Sequence, residues 1–68
     1  MQEIAIRDEF IKLGQAMKLA GMVENGGQAK EVISEGRVTV NNETETRRGR
    51  KLYKGDVFSF EKEEARIV

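Results

Sequence analysis

The feature that most limits the fold of this chain is a change of period at Gly36: apolar residues fall three and four apart before it and alternate after it. Leu13, Ala16, Met17 and Ala20 share one face of a helix rich in Ala, Met, Leu and Lys, all good helix formers. Gly21 and the run Asn25, Gly26, Gly27 end it, because Gly and Asn readily take the left-handed conformation of a helix exit. Ala29, Val32 and Ile33 mark a second helix from about Gly27 to Glu35, stopped by Gly36. The two form a helix-turn-helix pair.

Beyond Gly36, Val38 and Val40 bracket Thr39 in a β-branched strand. Asn41 and Asn42 tolerate positive φ and so predict a tight hairpin turn, with a return strand over Glu43 to Thr46. Lys54, Gly55 and Asp56 read as a turn. Val57 to Glu61 reads as a strand with Phe58 and Phe60 on one face, and a short last strand is expected at Arg66 to Val68. A first strand is expected within residues 2 to 6, where Ile4 and Ile6 share a side. The fold class is therefore α+β: two short helices packed on a small, mostly antiparallel sheet of about four to five strands. One domain covers residues 1 to 68.

A domain of this size buries only about 60% of the surface its unfolded chain exposes, so its core is thin. With no Cys and no His, neither a disulfide nor a zinc cluster staples it. The same inventory removes the commonest general base and the best soft nucleophile. Asp8 and Asp56 flank predicted turns with no partner carboxylate, so no enzyme, cofactor or metal is expected. No stretch approaches the ~18 apolar residues of a membrane span, and the first residues lack the basic and apolar regions of a signal peptide. The expectation is a cytoplasmic protein with no membrane partner. Without a heptad or a large apolar patch it is expected to be a monomer.

The formal net charge of zero hides segregation. Residues 1 to 36 carry four basic and six acidic groups, residues 37 to 55 six and two, and residues 56 to 68 two and four. A middle third at +4 thus separates two ends at −2 each. Its centre is Arg47, Arg48, Gly49, Arg50, Lys51, four cations in five residues. Clustered Arg and Lys gain from neutralising phosphates where scattered charges do not, which makes a polyanion the first partner to consider. The alternative is a solvated loop.

The joints between these elements resemble a known pattern. Leu13, Ala29 opening a second helix, Val32 and Ile33, the joint GRVTVN at residues 36 to 41, and KGDV at residues 54 to 57 look like the alpha-L RNA-binding motif. That motif occurs in ribosomal small-subunit protein S-four, pseudouridine synthases and tyrosyl-tRNA synthetases. The resemblance covers about residues 10 to 61. It is strongest to small stand-alone bacterial proteins of the YaaA and YbcJ type, through Gly26, Gly27 and the run Arg47 to Leu52. It implies a non-catalytic module that docks on structured RNA, ribosomal or tRNA-like, with a ribosomal subunit as a candidate partner, in ribosome assembly or on the ribosome. It also implies that Leu13 precedes the first helix, with Gly14 at its cap and residues 9 to 12 extended. A protein-interaction module, its basic loop against an acidic partner surface, is the alternative.

Within that frame the candidate contacts divide by chemistry. Arg47, Arg48, Arg50 and Lys51 meet successive phosphates, with Gly49 bending the run so that they fan outward. Gly26 and Gly27 either let a phosphate approach the second helix, with Lys30 one turn in, or only make the inter-helix turn. Arg37 either meets phosphate or pairs with Glu35. Lys18, on the polar side of the first helix, extends the positive face. Tyr53 either stacks on an unpaired base or packs. Many relatives carry Ser-Arg where Asn25 and Gly26 stand, and Asn-Gly where Asn41 and Asn42 stand.

Overall fold

A computed structural model describes residues 1–68. Its elements, in chain order, are β1 (Gln2–Ile4), β2 (Ile11–Lys12), α1 (Leu13–Leu19), α2 (Gly26–Ser34), β3 (Val38–Val40), β4 (Glu43–Thr44), β5 (Lys51–Leu52), β6 (Val57–Phe60) and β7 (Glu63–Ile67). Five strands form one sheet in the order β1-β7-β6-β3-β4, and β2 pairs with β5 in a separate two-stranded ribbon. All pairings are antiparallel except that of β1 with β7.

Alternation along the strands decides which face is covered. Val38, Val40, Phe58, Phe60, Ala65, Ile67 and Ile4 point to the helices and are buried. They meet Leu13, Ala16 and Met17 of α1 and Ala29, Val32 and Ile33 of α2 in one core cluster. Full burial of a side chain such as Phe58 or Leu13 stabilises the fold by about 1.5–3 kcal/mol relative to exposure. On the opposite face Thr39 and Ser59, a cross-strand pair, share a hydrogen bond of 2.6 Å.

Both helices end in the same device. Gly21 and Gly36 take φ of 75° and 76°. Around the first, Gly21 N–H donates to the Lys18 carbonyl at 3.0 Å and Met22 N–H to that of Met17 at 3.0 Å. Around the second, Gly36 N–H donates to Ile33 at 3.0 Å and Arg37 N–H to Val32 at 3.2 Å. These paired bonds are the Schellman pattern that satisfies the last carbonyls of a helix. The hairpin turn also forms, with Asn41 at φ 52° and Asn42 at φ 70°.

Several boundaries differ from those expected. The first helix begins at Leu13 with Lys12 as its N-cap, not at a cap on Gly14, and no side chain caps it. The reason is tertiary: Leu13 N–H donates to the Arg50 carbonyl at 2.8 Å and Gly14 N–H to that of Arg48 at 3.1 Å. The basic run therefore supplies the acceptors that a capping side chain would otherwise provide. Helix α2 begins at Gly26, one residue early, because the Asn25 side chain accepts from Gln28 N–H at 2.8 Å. Strand β4 stops at Thr44 as Glu45 turns inward. The last strand begins at Glu63 rather than Arg66. No helix is long and apolar enough to cross a membrane.

Candidate nucleic-acid interface

The basic run fans outward only in part: Arg47, Arg48 and Lys51 are exposed, whereas Arg50 is half-buried. Arg50 N–H donates to the Arg47 carbonyl at 3.2 Å, closing a turn, and two of the guanidinium groups fold back on Glu45. Glu45 is only 5% exposed, an unusual place for a carboxylate. Its Oε2 accepts from Thr46 N–H at 3.0 Å, Arg47 N–H at 2.9 Å and Arg47 Nε at 2.9 Å. Its Oε1 accepts from Arg47 Nη2 at 3.0 Å and Arg50 Nη1 at 2.7 Å. The Arg47 fork is thus bidentate, the stronger geometry for this pair. The side-chain bond from Arg47 is the main cause that lowers the Glu45 pKa to about 2, against desolvation that raises it, with Arg50 and the Arg47 backbone adding to the lowering. The same pairing raises the pKa of Arg47.

Arg48 and Lys51 are left without a carboxylate partner. Arg48 lies across Gly14, where a Cβ would stand 2.7 Å from Arg48 Cγ. The missing side chain at residue 14 is what lets the arginine stem pass over the first turn of α1. Lys51 holds its Nζ 4.7 Å from the centre of the Phe10 ring. Two hollows flank the run. One, of about 250 Å³, is lined by Lys12, Gly14, Gln15, Lys18, Gly26, Arg48 and Gly49, with no acidic and no large apolar side chain. The other is a shallower surface hollow lined by Arg47, Gly49, Arg50, Lys51 and Tyr53.

A model of the S4 domain matches residues 4–68 of this sequence. The chain belongs to the S4 domain family. It is 53% identical over 58 residues to the probable ribosome maturation protein RlbA of Bacillus subtilis (strain 168), covering 85% of this chain and 82% of that one. It is 38% identical over 58 residues to the putative RNA-binding protein YbcJ of Escherichia coli (strain K12), covering 85% of this chain and 83% of that one. The solution structure of E. coli YbcJ, described as revealing an alfaL motif involved in RNA-binding, superposes with a TM-score of 0.77 at 33% identity. That match covers 100% of this chain and 87% of the other. The alpha-L fold expected from the sequence is the fold of this S4 domain.

The other candidate residues of the S4 domain are distributed unevenly. Lys18 and Gly26 reach the first hollow with Arg48, whereas Gly27 and Lys30, exposed on the first turns of α2, line neither. Arg37 bonds Glu35 at 3.3 Å and Glu61 at 2.8 Å and lies 5.2 Å from the Phe60 ring centre. Arg37 is thus paired with both Glu35 and Glu61, and it stands apart from both hollows. Sequence reasoning missed Lys12, Gln15, Glu45 and Phe10. A signal for Glu45 was present: a carboxylate two and five residues ahead of arginines that flank a Gly-containing turn.

Proposed function

We propose that this S4 domain is a non-catalytic RNA-binding module that docks as a cytoplasmic monomer on structured RNA, most directly ribosomal RNA during maturation or on the ribosome. One observation carries the reading. Lys12 from β2, Lys18 from α1 and Arg48 from the loop, none paired with a carboxylate, converge on one hollow. Cations held together at the cost of mutual repulsion, in a hollow lined by no acidic and no hydrophobic residue, fit a chain of phosphates. Arg47 adds to that field, because its side chain stays 72% exposed while paired. The names of the B. subtilis and E. coli relatives support RNA as the polyanion and the ribosome as its setting.

The experiment is binding of a labelled structured RNA across a salt series. Neutralising about four phosphates gives a slope of log affinity against log salt of roughly −3. Replacing Lys12, Lys18 and Arg48 together by Ala flattens that slope and weakens binding across RNA sequences. Co-sedimentation with ribosomal subunits tests the ribosomal partner. A complex that survives nuclease treatment would assign the basic face to an acidic protein instead.

A further inference from the structure

Taking RNA as the partner, as above, we infer that the outer face of the β2–β5 ribbon is a stacking site for one unpaired nucleobase, with Tyr53 as platform and Lys51 and Lys12 on the flanking phosphates. The ribbon pairs Ile11 with Leu52 and Lys12 with Lys51. Carried one residue further, the same register sets Phe10 opposite Tyr53. Ile11 and Leu52 are buried, so alternation sends Phe10, Lys12, Lys51 and Tyr53 to the other side. Two aromatic rings and two ammonium groups therefore share one side of the ribbon and of the residue that extends each strand, Phe10 before β2 and Tyr53 after β5.

Each part of that face is held yet unfinished. The Phe10 and Tyr53 rings sit 6.0 Å apart, tilted by 53°, and Lys51 lies over Phe10. Asp56 clamps the Tyr53 backbone, accepting its N–H at 2.8 Å and donating to its carbonyl at 2.9 Å. Tyr53 itself remains 43% exposed, so part of the residue is open to a ligand. Lys12 and Lys51 face each other across the ribbon with no carboxylate between them, an arrangement that destabilises strand pairs unless an anion intervenes. Same-face neighbours along a strand lie about 7 Å apart, so Tyr53 and Lys51 suit a base and a phosphate of neighbouring nucleotides. A continuous A-form duplex keeps its bases stacked and its major groove closed to side chains, so the ring selects a loop, bulge or end.

The chain has one Tyr and no Trp, so its tyrosine emission reports Tyr53 alone. The probes are an RNA hairpin with a loop of adenosines and its twin whose loop sugars carry no base. The intact hairpin quenches Tyr53 emission and binds about tenfold more tightly than the abasic twin, the effect of a stack worth ~1.4 kcal/mol. Both hairpins keep the same salt slope. Tyr53→Leu erases the preference and Tyr53→Phe retains it. Equal affinity for the two hairpins with unchanged emission at saturation overturns the stacking site and leaves RNA binding standing. Absence of salt-dependent binding to either hairpin overturns RNA binding and the stacking site with it.

Discussion

Replacing Glu45 by Gln removes the charge to which the basic loop is tied while keeping the shape of the side chain. In the folded protein the Glu45 pKa falls from 4.5 to about 2, chiefly through the Arg47 side chain. A drop of that size corresponds by linkage to at most about 3–4 kcal/mol. Because the Arg47 side chain is 72% exposed, solvent screening reduces the figure to roughly 1–2 kcal/mol. Total stabilities of domains this size are about 3–10 kcal/mol, so the loss is large, equivalent to roughly 7–14 °C in Tm. The folded pKa is depressed, so the stabilisation is complete above about 4.5, declines as pH falls towards about 2, and is absent below it. Urea titrations of both proteins, followed by far-UV circular dichroism, measure this. Near neutral pH the variant unfolds at lower urea with an unchanged slope, and by about pH 2 most of the difference between the two curves is gone. Equal stability near neutral pH, or a deficit of the same size at about pH 2, refutes the placement of Glu45 as the organising charge.

Three further substitutions have expected outcomes. Gly14→Ala places a methyl group 2.7 Å from Arg48 Cγ and displaces that side chain; RNA affinity falls severalfold, while urea stability stays within about 1 kcal/mol because Ala is the better helix former. Lys12→Ala with Lys51→Ala relieves a cross-strand repulsion, raising stability by a few tenths of a kcal/mol in urea. The same pair lowers RNA affinity and makes the salt slope shallower by roughly 1–2. Asn42→Gly relaxes a residue at φ 70° in the β3–β4 hairpin and raises the urea midpoint, by about 0.5 kcal/mol in stability.

The most legible parts of the fold were those governed by local chemistry. Gly21, Gly36, Asn41 and Asn42 announce helix exits and a hairpin because each must take positive φ, and all four do. Val38, Val40, Phe58 and Phe60 announce the buried face through simple alternation. Strand β7 was only partly visible, since its inward residues are Ala65 and Ile67 and Ala is a weak strand signal. The parallel pairing of β1 with β7 joins residues from the two ends of the chain and leaves no local mark. The β2–β5 ribbon has two residues per strand, too few to show a period. That is why Lys12 went unnoticed: it becomes a neighbour of Lys51 only through a pairing between distant segments. The cation count of the loop is legible as composition, whereas the return of Arg47 and Arg50 onto Glu45 is not, because burial of Glu45 is a tertiary property.

The two hydrogen bonds from Leu13 and Gly14 of α1 to the Arg50 and Arg48 carbonyls have a consequence for binding kinetics. They mount the basic loop on a helix whose other face is core, so the loop takes its shape when the protein folds, before any RNA arrives. Little backbone freedom then remains to be lost on contact. Association with RNA should approach the rate set by charge steering, fall steeply with ionic strength, and show no slow rearrangement phase in stopped-flow traces. For a module this small, finishing the loop during folding separates recognition from ordering, and lets the protein meet its RNA with its cations already in position.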